Sequence, residues 1–270
     1  MRDIVIASSR GKGLDELIRQ GHPSPSNVEV IVRSSATLST LKSIALDIIR
    51  KSPTDNIHMY IVGGYCDLTQ VISSTKYSYD KQFRHEEVVF WEGPETAVPR
   101  VTKAIHDTYN ALNKTHITPT FCTIPPAFLH KWNRTRLGQH KTCMLKHTDK
   151  YDDMNQRLMD SCIRLNKEII RLNTTHNAFT PKLADTVILK QGKHKGYKKF
   201  EHALEDGVHA SDDTKKLWAG LILDAIMRNR GWKAPKPTIL VEVPAQTDSD
   251  SEPEQRQPHK RSKFTSERKL

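Results

Sequence analysis

Near the N-terminus the chain reads Ile4-Val5-Ile6-Ala7-Ser8-Ser9-Arg10-Gly11-Lys12-Gly13-Leu14. The apolar run from Asp3 to Ala7 predicts a buried strand. It breaks directly into two serines and two glycines, and the pattern resumes as a helix over 14–20. A strand that ends in a short polar turn and re-enters as a helix is the first half of an alternating α/β unit.

The same alternation continues outward from this stretch. Gly21 to Asn27 is a loop by its Pro, Ser and Gly content, and Val28 to Val32 is a second, β-branched strand. Apolar residues at 38, 41, 44, 45, 48 and 49 predict a helix over 37–51. A third strand spans 57–62 and stops at Gly63-Gly64, and a helix follows over 98–113. A fourth strand spans 118–124 and stops at Pro125-Pro126. Met154, Leu158, Cys162, Leu165 and Ile169 form one stripe of a long helix over 152–172. A fifth strand is expected at 186–189 and a last helix over 212–230. Strands alternating with helices predict a parallel sheet covered on both faces. Ligands of such sheets gather beyond the carboxyl ends of the strands. That edge should therefore hold Ser8 and Ser9, Ser35, the segment 63–67 and Pro125-Pro126.

The 270 residues, 36% of them hydrophobic, suffice for one sizeable domain with its own core. We place that domain at 1–232. Residues 233–270 carry five prolines, the acidic run Asp248-Ser249-Asp250-Ser251-Glu252 and the basic run Lys260-Arg261-Ser262-Lys263. This is the composition of a disordered polar tail, and its basic run has the form of a nuclear import signal. Four widely spaced cysteines read as free thiols in a reducing compartment. With no signal peptide and no apolar run of about 18 residues, the expected location is intracellular, nucleus or cytoplasm, without a membrane span. The formal net charge of +11 favours polyanions as neighbours. Six Lys or Arg face one acid over 130–150, and five Lys face one acid over 190–202. Trp132, Tyr197 and Phe200 are interleaved. Lys131, Arg134, Arg136, Lys141, Lys195 and Lys198 are therefore candidate contacts to nucleic acid or another polyanion.

Glu205-Asp206-Gly207-Val208-His209 lies just before the last helix. An Asp three residues before a His lets one loop carry both a proton acceptor and the group that orients it. The carboxylate takes the ring Nδ1–H and leaves Nε2 free to accept a proton from a hydroxyl. The serine pair Ser8-Ser9 at the exit of the first strand offers the matching hydroxyl, Ser8 serving if that strand ends one residue early. Ser9 as a plain helix cap is the competing structural reading. Ala7-Ser8-Ser9-Arg10-Gly11 is one substitution from G-x-S-x-G. Only one strand precedes it, however, which excludes the α/β-hydrolase elbow. His140, Cys143 and His147 match no strong zinc spacing, and no phosphate or dinucleotide fingerprint is present. No cofactor and no metal are expected.

These blocks resemble the SGNH/GDSL hydrolase superfamily over roughly residues 1–230. The resemblance implies a flavodoxin-like α/β/α sandwich with a central parallel sheet. It also implies a serine ester hydrolase with Ser9 as nucleophile and Asp206 and His209 completing the triad. An acyl ester would be the substrate. Ala7 and Ser8 stand where that family has Gly and Asp, and Ser35 stands where its second block has Gly. Cys66, in Gly63-Gly64-Tyr65-Cys66-Asp67, replaces the Asn of the third block. Thr123-Ile124-Pro125-Pro126 is similar to its fourth-strand exit, and Asp206-x-x-His209 is intact. The implied oxyanion hole is Ser9, Ser35 and Cys66. A thiol is a weak donor, and losing one oxyanion donor costs about 10²–10³ in rate. The alternative expectation is a catalytically inactive domain of this type that binds nucleic acid or protein.

Overall fold

The computed structural model of the protein describes residues 1–53, 55–78, 81–90, 92–113, 117–136, 148–190 and 197–232. Strand β1 (Arg2–Ala7) leads through a 3₁₀ turn to helix α1 (Leu14–Gly21). Strand β2 (Val28–Val32) leads to α2 (Leu38–Lys51), and β3 (Ile57–Val62) to the one-turn α3 (Tyr65–Leu68). A hairpin, β4 (Gln70–Ser78) and β5 (Lys81–Val89), precedes α4 (Pro94–Asn113). Then come β6 (Ile117–Phe121), α5 (Leu129–Arg136), α6 (Thr148–Thr175), the short pair β7 (Ile188–Lys190) and β8 (Tyr197–Lys199), and α7 (Asp212–Asn229).

The central sheet has the order β2-β1-β3-β6, and all its pairs are parallel. Alternation along β1 sends Ile4 and Ile6 to one face and Val5 and Ala7 to the other. The first face packs on α2, α4 and α6 through Leu41, Val101, Ile105, Leu158 and Leu165. The second packs on α1 and α7 through Leu14, Ile18, Trp218 and Ile222. This is the expected α/β/α sandwich. Among the described residues, no helix is long and apolar enough to cross a membrane.

Three asparagines of α6 hold the chain as it leaves the sheet. Asn173 accepts from the Phe121 N–H at 3.2 Å and donates to the Phe121 carbonyl at 2.7 Å. Asn166 does the same for Ile124, at 2.6 and 2.9 Å. Asn155 accepts from the Leu129 N–H at 2.7 Å. All three are buried, where each unmade backbone bond would cost about 1–3 kcal/mol. At the opposite end of the sheet, fully buried Asp3 is held by His22 Nε2 at 3.0 Å and by Arg230 just beyond α7.

Several expectations need correction. Among the described residues no fifth strand joins the central sheet: Leu183–Thr186 forms a 3₁₀ turn, and β7 pairs antiparallel with β8. The strand does form, at Ile188–Lys190, but its partner is β8 rather than the central sheet. The fourth strand ends at Phe121, because Thr123 N–H turns to the Pro181 carbonyl and Ile124 to Asn166. Helix α4 begins four residues earlier than expected and carries Pro99 inside it. The hairpin β4–β5 and helix α5 were not anticipated. Cys66, Cys122 and Cys162 are free thiols, while Cys143, the His140–His147 cluster and the tail lie outside the described residues.

Candidate active site

The register of the sheet assembles the site. Ala7 lies level with Val32 and with Val62, so three strands end together and their exit loops share one edge. At the end of β1 the Ser8 N–H donates to the Val62 carbonyl at 2.9 Å. The Gly11 N–H then donates back to the Ser8 carbonyl at 2.9 Å, which closes the 3₁₀ turn Ser9–Gly11. That turn folds onto the strand it left, and a Cβ at Gly11 would collide with the Ala7 Cβ. Ser8 is buried and its hydroxyl has no partner among the described residues. Ser9 is half-buried and faces a cleft of about 440 Å³, so of the two candidate serines only Ser9 reaches it.

The loop after β2 adds Ser34 and Ser35 to the cleft wall. Ser35 has φ 56°, the left-handed region that favours glycine, and its side chain is exposed. The loop is tied down by the Arg33 N–H to the Ala7 carbonyl at 2.8 Å. Asp67 then reaches across from α3 to accept the Leu38 N–H at 2.9 Å, at the start of α2. Burial pushes the Asp67 carboxyl above its ordinary value, and that N–H partly restores it. Gly64 at φ 99° makes the turn into α3, where a Cβ would come within 2.6 Å of Ile124 Cδ1. The turn delivers Tyr65 and Cys66 to the cleft. Burial raises the Cys66 thiol, and Arg10 draws it back down.

The fourth corner is the loop 205–209, closed at its base by the Leu204–Ala210 bridge and by the Glu205 N–H to the His209 carbonyl at 2.8 Å. Asp206 Oδ1 accepts the backbone N–H groups of Val208 and His209, at 2.9 and 2.8 Å. Its Oδ2 accepts from His209 Nδ1 at 2.7 Å. Burial works to raise the Asp206 carboxyl, but the bonds from the His209 ring and the two amides prevail and bring it to about 2. The ring's other nitrogen has no partner among the described residues. His209 lines the same cleft as Ser9, with the Trp132 ring 5.4 Å away.

Glycine is required inside this loop. Gly207 has φ 91° and its carbonyl accepts the Phe128 N–H at 2.8 Å. A Cβ there would press on the Phe128 carbonyl oxygen and lie 2.8 Å from the Trp132 nitrogen. The loop therefore lies backbone to backbone against the start of α5. Lys131 fastens its approach, with Nζ donating to the carbonyls of Leu204 at 2.6 Å and Glu201 at 3.1 Å. Of the other candidate polyanion contacts, Lys198 is exposed, 5.3 Å from the Phe200 ring. Arg134 and Arg136 are on α5, and Lys141 and Lys195 lie outside the described residues.

The sequence assigns no role to two contributors, Val71 and Arg10, and it presents Asp67 only within the segment 63–67 and Trp132 only as an aromatic of the basic cluster. Val71 and Trp132 form an apolar wall of the cleft with Val208. Arg10 is 3% exposed. Its guanidinium lies 3.9 Å above the Tyr65 ring and donates one N–H to the Pro125 carbonyl, while Nε and Nη2 have no partner among the described residues. Among the described residues no group of His, Cys, Asp or Glu could hold a metal ion.

No protein-family profile and no curated protein matches the chain. Solved structures do. A Bacteroides fragilis protein described as a candidate acylhydrolase superposes with TM-score 0.54 at 14% identity, over 84% of this chain and 87% of that one. A GDSL-like lipase of Bacteroides thetaiotaomicron gives TM-score 0.54 at 12% identity, over 84% and 88%. The chain has an SGNH/GDSL-like fold. Within the SGNH/GDSL-like fold, Ser35 is the departure whose backbone cost is measurable. A side chain in the left-handed region costs about 1–2 kcal/mol. Glycine at 35 is expected to leave stability unchanged or to raise it by up to about 1 kcal/mol, after its larger entropy loss. Ser35→Val is expected to lower it by about 1–2 kcal/mol. Urea unfolding midpoints of the two variants check this, and packing does not confound them because the side chain is exposed.

Proposed function

We propose that the protein is a serine ester hydrolase acting through Ser9, His209 and Asp206. The observation that carries this reading is that Ser9 and an Asp206-anchored His209 line one cleft although 200 positions separate them in sequence. In the reaction, Ser9 Oγ attacks the ester carbonyl and gives its proton to His209 Nε2. Asp206, ionised because its carboxyl is held near 2, fixes the Nδ1–H tautomer and stabilises the imidazolium. The tetrahedral oxyanion takes the backbone N–H groups of Ser9 and Ser35 and the weak S–H of Cys66. The imidazolium then protonates the leaving alcohol. Water, deprotonated by His209, releases the acyl group and regenerates Ser9.

The cleft is hydroxyl-rich at Ser34, Ser35 and Thr37 and apolar at Val71, Trp132 and Val208. This supports an ester that joins one polar and one small apolar part. A fluorophosphonate probe tests the covalent step. Wild-type protein should be labelled at Ser9, as read by peptide mass, and Ser9→Ala should not be labelled. An unlabelled wild type, or equal labelling of the two proteins, overturns the mechanism.

A further inference from the structure

Arg10 is a buried cation that the mechanism above does not use. Its guanidinium stacks on Tyr65, keeps one N–H for the Pro125 carbonyl and leaves Nε and Nη2 unpartnered. No carboxylate pairs with it among the described residues. A buried guanidinium is normally matched by an anion, because removing it from water is costly and a stacked ring attracts the charge without cancelling it. Burial lowers the guanidinium from its usual value, but arginine still holds its proton, so the charge remains. It reaches from the turn Ser9–Gly11 onto the Tyr65 ring of α3, and it acts through space with Tyr65, Cys66 and Asp206, which belong to the site's own loops.

We infer that Arg10, resting on the esterase reading, supplies positive potential to the oxyanion side of the cleft, where Cys66 provides only a weak donor. Tyr65, which carries the guanidinium on its ring at 3.9 Å, itself lines the cleft, and three further points agree. Arg10 directly follows Ser9, whose N–H is the first oxyanion donor. Tyr65, the ring beneath the guanidinium, directly precedes Cys66. Among the described residues no carboxylate bonds to the cation, Asp206 acting on it only through space, so an anion formed in the cleft adds negative charge that the guanidinium lacks at close range. A fixed charge in a dry site needs no reorganisation when the oxyanion appears. Arg10 acts through space here rather than by touching the substrate.

The test has two readouts on the full chain. The first is the pH profile of Cys66 alkylation by iodoacetamide, followed on the Cys66 peptide. The groups that act on this thiol are Arg10 and Asp67, together with its burial. The neutral, similarly sized Arg10→Met should move the alkylation midpoint to higher pH, and Arg10→Lys should leave it near the wild-type value. The second readout is hydrolysis of p-nitrophenyl acetate. Arg10→Met should lower kcat by about 10- to 100-fold with KM changed less than about threefold, and Arg10→Lys should recover most of the loss. Arg10→Gln serves as a second neutral variant if the Met protein does not fold. An unmoved Cys66 midpoint, or equal kcat losses in the Met and Lys variants, overturns the inference. A wild type unlabelled by fluorophosphonate instead overturns the esterase reading and the kinetic role with it, whatever Cys66 shows.

Discussion

His209→Gln is expected to lower kcat for a small activated ester by about 10⁴- to 10⁶-fold, with KM nearly constant. The loss is large because the imidazole acts twice, taking the Ser9 proton in acylation and activating water in deacylation. Gln at 209 does neither. The protein should still fold, since the loop is held without the His209 ring: Asp206 Oδ1 accepts the amides of 208 and 209, and the Glu205 N–H donates to the carbonyl of 209. Steady-state hydrolysis and thermal melting of the same sample separate the two effects. Asp206→Asn should fall by about 10⁴-fold for a different reason. Its carbonyl end can still accept the backbone amides, but its NH₂ then faces His209 Nδ1 and forces the wrong tautomer. A His209→Gln protein that melts normally and keeps more than about a tenth of the wild-type rate would rule out the triad.

Gly207→Val is expected to damage both folding and turnover. No side chain fits, because the position is at φ 91° and the space beside it is the backbone of Phe128 and Trp132 rather than a yielding side chain. The left-handed conformation alone costs about 1–2 kcal/mol, and more for a β-branched residue. The clash must be relieved by lifting the loop from α5, which breaks the Phe128 N–H bond to the Gly207 carbonyl, worth about 1 kcal/mol. The sum is about 2–4 kcal/mol in unfolding free energy, measurable by urea titration. Lifting the loop also carries His209 away from Ser9. A displacement of about 1 Å at a reacting group costs about 10²-fold in rate, so kcat should fall at least that far in the folded fraction. Retained stability and activity in Gly207→Val would mean that the loop is not seated as described.

Much of this architecture was legible in the sequence, because its signals are local and periodic. The run Ile4–Ala7 is apolar without interruption because β1 has neighbours on both sides and helices on both faces. The stripe from Met154 to Ile169 marks a helix that rests one side on the sheet. Asp206 and His209 could be read as a pair because their interaction spans three residues. Contributions that depend on distant contacts were not legible. Arg10 looks like any surface base until Pro125 and Tyr65 close over it. Asn155, Asn166 and Asn173 read as polar interruptions on α6, whereas each completes the hydrogen bonding of a backbone segment 26 to 52 residues away. The hairpin β4–β5 does carry a local strand signal, the β-branched residues Val71, Ile72 and Thr75. The run at 186–189 misled because β-branched residues favour any extended pairing, central or peripheral.

The amide clasp along α6 also bears on how this protein meets copies of itself. A parallel sheet ends in two margins, and a margin with free N–H and C=O groups invites a strand from another molecule. On the β6 margin the Phe121 groups are already taken by Asn173, and Pro119, two residues back on the same side, has no N–H to offer. Both β2 and β6 end the sheet among the described residues, and of the two only β6 has outward backbone groups taken by an asparagine. A sheet that can be extended from one side alone closes after a single pairing, so strand-by-strand growth into an open-ended fibre has no second face from which to continue.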